Sequence, residues 1–176
     1  MKKVIKIVVG VFAVIVLLGI VAGGSDDSSG NKSKTENVKW NTNFEDPMAV
    51  VENLDNCKKI MMKMDSVAAN AKKVSPAEVM KNPADYFGIV LEMGATIDEL
   101  EDFPPNSGGA KFFEGGVAHA IIATASDGTK IMASKKGVAD EKVGQFTVLV
   151  GMLAGIQTLP GENGETKLLF ITGSPK

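Results

Sequence analysis

A lone histidine, one cysteine and one run of acids carry most of the chain's potential for chemistry, and none of them is set in a reactive pattern. His119 is the single histidine, which excludes multi-histidine metal sites and leaves the usual histidine-based triads without a recognisable relay. Strand alternation places it on the face of Val117 and Ile121, so a hydrogen-bonded core histidine is expected, with a ligand-binding role as the alternative. Asp98-Glu99-Leu100-Glu101-Asp102 could offer oxygens to calcium, but lacks the Asp-x-Asp-x-Asp-Gly spacing that wraps a loop around the ion; a solvated loop is the expectation. Cys57 has no intramolecular disulfide partner. It falls on an apolar helical stripe and reads as a buried thiol, with intermolecular pairing as the alternative.

Ser107-Gly108-Gly109-Ala110 and Gly115-Gly116 look superficially like phosphate loops. Neither follows a strand and opens a helix with the required lysine, so they are expected to form a mobile loop. Between them lies Lys111-Phe112-Phe113-Glu114, where one ring is expected to pack and the other to be free to stack on a ligand. Lys130, Lys135 and Lys136 are the basic cluster nearest to it in the β region. Phe112, Phe113, Lys111, Lys130, Lys135 and Lys136 are therefore the candidate ligand or partner contacts. No residue qualifies as catalytic, cofactor-binding or metal-ligating, so no enzyme activity and no cofactor is implied. Met61, Met62 and Met64 read as gap-filling core contacts.

Charge narrows the partners. All 19 basic residues are lysine, so the planar arginine fork that grips phosphate and guanine is missing. Residues 36–176 hold 14 lysines against 19 acids, a net charge of −5. An acidic, arginine-free domain disfavours nucleic acid as a partner.

At the N-terminus Lys2, Lys3 and Lys6 precede an uncharged run, Ile7–Ala22, which Val4 and Ile5 extend towards twenty residues. At ~1.5 Å per residue that length crosses a ~30 Å bilayer core. Lysines before the run and Asp26 and Asp27 behind it place the N-terminus in the cytoplasm. Residues 1–24 are thus expected to be an uncleaved transmembrane signal-anchor, with a cleaved signal peptide and a secreted product as the alternative. The serine- and charge-rich segment that follows reads as a flexible tether over 25–45.

Asp46-Pro47 has the form of a helix cap and first turn, and apolar residues recur at Val50, Leu54, Cys57, Met61, Met64 and Ala68; an amphipathic helix over 46–73 is predicted. Ser75-Pro76-Ala77-Glu78 forms a capping box for a second, short helix that Asn82-Pro83 stops. Five strands follow, at Ile89–Ile97, Val117–Ala125, Lys130–Ser134, Phe146–Ile156 and Lys167–Thr172. Asp127-Gly128 and Asn163-Gly164 mark hairpin turns, Gly151 and Gly155 mark bends, and residues 138–144 have room for a short helical turn. The predicted fold is mainly β (α+β): a small five-stranded OB-like barrel over 74–176, preceded by an amphipathic helix and a short helix.

The run from Ser75 to Gly88, Ser-Pro-Ala-Glu-Val-Met-Lys-Asn-Pro-Ala-Asp-Tyr-Phe-Gly, resembles the lead-in to bacterial exported OB-fold domains of the tRNA_anti-like type. Val143–Gly151 is similar to the start of their fourth strand. The likeness covers about residues 75–173 and departs from the pattern at Ile89-Val90 and in the long first connection. It implies an OB barrel rather than a particular ligand. The expected function is that of a membrane-tethered extracytoplasmic binding or interaction module, accessory to a protein or envelope-glycan partner, with helix-mediated self-association as a secondary expectation. The alternatives are an oligonucleotide-binding OB-fold protein and an envelope hydrolase using an unidentified carboxylate pair.

Overall fold

The structure, a computed structural model, describes residues 38–44, 46–63, 68–158 and 166–172. The anchor expected over 1–24, the tether up to residue 37 and the Asn163-Gly164 turn lie outside the described residues. Among the described residues no helix is long and apolar enough to cross a membrane.

Helix α1, Pro47–Met62, begins as the sequence predicts: Asp46 accepts from the Met48 backbone N–H, and Pro47 occupies the first turn. Ala49, Val50, Leu54 and Cys57 form its buried stripe. The helix stops at Met62 rather than continuing to residue 73. Ala68–Asn70 make one 3-10 turn, and Lys72–Lys73 form strand β1, parallel to β2 at Leu91 and Glu92. Backbone pairing explains the early stop, because β1 supplies partners to a stretch of β2 that would otherwise present an open edge. The segment 38–44, assigned to the tether from sequence, instead lies against the barrel. Trp40 stacks on Phe87 with ring centroids 5.2 Å apart, and Phe44 stacks on the same ring at 6.0 Å.

Helix α2, Pro76–Lys81, is capped by the Ser75 hydroxyl, which accepts from Glu78 N–H at 3.2 Å. A 3-10 turn over Pro83–Tyr86 leads into Gly88, whose φ of +77° turns the chain beneath the Trp40 ring.

Strand β2, Val90–Phe103, is six residues longer at its C-terminal end than the predicted strand, which ends at Ile97. The acidic run 98–102 therefore belongs to the sheet and is not the solvated loop expected from its composition. A β-bulge between Ile97 and Glu99 re-phases the strand, so that Leu100 packs on the barrel core while Phe103 is buried against Ala110, Ala118 and Ala120. The glycine-rich connection is also ordered. Ser107 caps helix α3, Gly108–Phe112, accepting from Ala110 N–H at 3.3 Å, and Gly115, with φ +79°, closes it by donating to the Ala110 carbonyl at 2.8 Å. That replaces the expected mobile loop.

Strands β3 (Ala118–Thr124), β4 (Lys130–Lys136), β5 (Phe146–Thr158) and β6 (Thr166–Thr172) complete the sheet. Its order is β1-β2-β3-β4-β6-β5, and β2 also pairs with β5. That last pairing closes β2 to β6 into a five-stranded barrel. β4 and β6 run parallel; the other barrel pairs are antiparallel. The β3–β4 hairpin turns at Gly128, φ +85°, as Asp127-Gly128 predicts. Residues 137–145, where a short helical turn is expected, hold only a turn at Val143-Gly144.

The barrel interior is filled by Leu91, Met93, Ile97, Ile121, Ile131, Leu149, Leu153, Leu168 and Phe170. A second cluster lies outside the barrel under α1, where Val50, Leu54 and Cys57 meet Val90, Ile122, Met132, Met152, Leu169 and Ile171. Two glycines of β5 set how closely β6 and α1 approach that strand. A Cβ at Gly151 would lie 1.8 Å from the Ile171 carbonyl oxygen, and one at Gly155 would lie 3.2 Å from Val50 Cγ2 on α1.

Candidate functional site

The six contact residues predicted from sequence do not form one surface. Phe112 and Phe113 meet edge-to-face at 5.1 Å, and both are partly buried. Phe112 packs on the cluster under α1, where Lys58 lies 5.6 Å above its ring and donates to its carbonyl at 3.0 Å. Phe113 packs on Phe103, Ala110, Ala118 and Ala120. Neither ring stands as the free platform expected from sequence. Lys111 is exposed on α3.

The lysines are dispersed and paired. Lys130 reaches Asp98 at 3.0 Å at one end of β4. Lys135 at the other end reaches Glu141 at 2.7 Å and Asp140 at 3.3 Å, and Lys136 meets Glu114 at 3.5 Å from the opposite strand face. Each of these three lysines is thereby matched by an acid, and they do not combine into a positive groove. Burial alone would raise the Asp98 carboxyl, but the Thr124 hydroxyl and the Lys130 ammonium bind it and hold it below the usual carboxylate range. Glu101 goes the other way, raised by burial first and by the neighbouring Glu99 second.

A concave surface lies elsewhere, where the sequence signals only a tether and the polar face of a helix. Residues 39–43 and the exposed side of α1 bound an open groove of about 740 Å³, lined by Trp40, Asn41, Thr42, Glu52, Asp55 and Lys59 among others. That volume falls in the range typical of ligand sites. Fully buried Asn53 fixes one wall: its amide donates to the Asn41 carbonyl at 2.9 Å and accepts from the Asn41 N–H at 3.0 Å. Asn56 donates to the Lys39 carbonyl at 3.1 Å, and the Asn41 amide donates to Glu52 at 2.9 Å. The wall charges, Lys39 and Lys59 against Glu52 and Asp55, cancel. The groove combines donors, acceptors and an indole without net charge, a chemistry matched to groups that both donate and accept. One sequence signal for it exists: Val38, Trp40 and Phe44 are apolar residues directly after a segment that has none.

His119 lies in the barrel, fully buried, in register with Asp102 on β2 and Lys135 on β4. Its Nδ1 is 2.8 Å from the Gly137 carbonyl oxygen and its Nε2 is 3.3 Å from Glu141 Oε2. His119 is thus a buried residue with one ring nitrogen at a backbone carbonyl and the other beside the Glu141 carboxyl.

Cys57 is buried as predicted. Its thiol donates to the Leu153 carbonyl at 3.3 Å, and burial pushes it up to about 12. No group of three or more metal-ligating side chains comes together among the described residues.

No protein-family model, curated protein or solved structure matches the chain.

Proposed function

We propose that the chain is a non-enzymatic binding module, held outside the cytoplasmic membrane by residues 4–22 and acting on an envelope glycan through the groove between residues 39–43 and α1. The observation that carries this is the groove's lining. Asn41, Thr42, Asn43, Glu52, Asp55, Asn56 and Lys59 surround the Trp40 indole with balanced charge, which suits a neutral polyhydroxylated chain better than a phosphate polymer. The anchor-like N-terminal sequence sets such a groove close to the membrane surface, at the end of a polar tether.

Retention on insoluble cell-wall material tests it. The full-length chain in mild detergent should sediment with that material, and the Asp55→Ala/Lys59→Ala double variant should sediment several-fold less. Both substituted side chains are exposed, so the fold is preserved. Equal retention of the two proteins refutes the groove as the contact.

A second reading, oligonucleotide binding, is favoured by one observation. Numbered within the barrel, the strand order is 1-2-3-5-4-1 with strands three and five parallel, which supports assigning the OB type. In such barrels the face of strands two and three receives the ligand. Here Ile122 and Met132 on that face are buried in the cluster formed with α1. Together with the paired lysines this leaves little for a phosphate backbone. Oligonucleotide binding that weakens steeply with salt would favour this second reading over the first.

A further inference from the structure

The connection between β4 and β5 runs alongside β2. Ala139 N–H donates to Asp102 Oδ1 at 3.4 Å, Gly144 N–H donates to the Ile97 carbonyl at 2.8 Å, and Ile97 N–H donates to the Gln145 carbonyl at 2.9 Å. β5 then takes over the pairing, with Phe146 opposite Thr96 and Val148 opposite Gly94. One line of chain, from Val138 to Val148, therefore accompanies β2 from Asp102 back to Gly94, about 25 Å at ~3.3 Å per residue. Val138, Val143, Phe146 and Val148 on that line are 52–66% exposed. Among the described residues the only other exposed large apolar side chain is Met62. Four such side chains along one line of backbone exceed the single apolar residues scattered over an ordinary surface.

The row is held in shape and has a defined end. The Phe146 ring lies across Gly94, its Cζ 2.7 Å from where a Cβ on that glycine would stand, so it rests against bare backbone while most of the residue stays exposed. An aromatic already oriented in this way loses less freedom when a partner covers it. Further along β5, Val150 packs into the cluster under α1. The row therefore begins where α1 stops covering the strand, and none of its residues lines the Trp40 groove.

Charge selects the occupant. Glu99, Glu101 and Asp102 lie on the stretch of β2 that the connection accompanies, and none of them makes an ion pair among the described residues. On the connection itself, Asp140 and Glu141 share Lys135, and Lys142 adds one more cation. Five carboxylates against two ammoniums leave a net charge of −3 beside the apolar row. A second copy would set the same acids against one another across a two-fold axis, and an anionic lipid surface would be repelled. We propose that the row from Val138 to Val148 docks a cationic, apolar-bearing segment of a protein partner. Lysine or arginine side chains of that segment meet Glu99, Glu101 and Asp102, while its apolar side chains cover Phe146 and Val148. The row matches about eight extended residues, and it is independent of the glycan groove.

Defined peptides test it. An alternating lysine–valine peptide of about eight residues is titrated at low salt into the full-length, ¹⁵N-labelled chain in non-ionic detergent, with glutamate–valine and lysine–serine peptides of equal length as controls. The expected result is saturable movement of backbone amides within residues 94–102 and 138–148, caused by the lysine–valine peptide alone and weakened by salt. Phe146→Thr/Val148→Thr keeps strand-favouring residues at exposed positions and should raise the half-saturation concentration on the order of tenfold. Glu99→Gln/Asp102→Asn should raise it several-fold and flatten the salt dependence. An equal response to the lysine–serine peptide leaves charge alone as the cause, and an equal response to the glutamate–valine peptide leaves apolar contact alone; either overturns the proposal, as does no response or a response only at other amides. Movement of the same amides on dilution without peptide assigns the row to a second copy, and movement on adding anionic lipid assigns it to a lipid surface; each overturns the proposal too. The wild-type titrations decide by themselves if a variant does not fold.

Discussion

Replacing Gly151 with alanine tests the barrel's closure, because the added carbon has nowhere to go. Its position would be 1.8 Å from the Ile171 carbonyl oxygen, against a floor of 3.0 Å for such contacts, so β6 must retreat by at least 1.2 Å from β5. The obstacle is backbone on a paired strand, and no rotamer change relieves it. Gly151 stands opposite Thr172, with Met152 opposite Ile171 beside it, and the retreat breaks about two ladder hydrogen bonds at roughly 1 kcal/mol each. Overpacking adds about 1–3 kcal/mol, for a total of about 3–5 kcal/mol. That is a large fraction of a typical domain's ~5–15 kcal/mol. With a urea m-value of about 2 kcal/mol/M, the unfolding midpoint should fall by about 2 M. Gly155→Ala is the control: its Cβ meets only Val50 Cγ2, at 3.2 Å, a side chain that can shift, and the cost should stay below about 1 kcal/mol. Urea unfolding of the full-length chain in mild detergent, followed by far-UV circular dichroism, reads both variants. Equal midpoints for Gly151→Ala and wild type would refute the close approach of β5 and β6.

Further outcomes follow from the same contacts. Cys57, buried and raised to about 12, should resist thiol reagents in the native protein and react stoichiometrically once urea unfolds it; rapid native labelling would contradict the packing of α1 on β5. Asp98 is held below its ordinary value, so the stability it contributes is present above the ordinary carboxylate range and is lost as pH falls through the lowered value. Asp98→Asn should therefore lower stability at neutral pH and flatten the acid limb of a stability–pH curve, and an unchanged limb would count against the Lys130 and Thr124 contacts. Asn53→Ala removes both hydrogen bonds to the Asn41 backbone. It should cost about 2 kcal/mol and shift Trp40 emission to the red as the 39–43 wall loosens; unchanged emission would mean that the wall is held otherwise.

Much of the barrel is legible in the sequence because its signals are local. Asp46-Pro47, Ser75-Pro76 and Asp127-Gly128 act through their own backbone groups, and each sits at the cap or turn it marks. The misplaced boundaries have non-local causes. The extension of β2 through Asp98–Phe103 depends on pairing with a separate strand, β3, across the intervening connection, and on a bulge that composition cannot reveal. The stop of α1 at Met62 depends on β1 finding β2. The site was less visible still. Phe112 and Phe113 look exposed in a glycine-rich stretch, yet a capped helix turns both onto apolar neighbours. Trp40 reads as part of a tether until Phe87 and Asn53 supply the contacts that hold its segment. Whether His119 faces inward follows from strand phase, but the carboxylate beside it comes from a connection with no periodicity to read.

The central claim is that the groove beside Trp40 receives a neutral glycan. Trp40 is the only tryptophan in the chain and lines that groove, so its emission reports occupancy without a label. Titrating the full-length chain in mild detergent with soluble envelope-glycan fragments should change that emission saturably, and Asp55→Ala/Lys59→Ala should shift the midpoint to higher concentration. A flat titration across neutral and acidic glycan fragments alike would contradict the account.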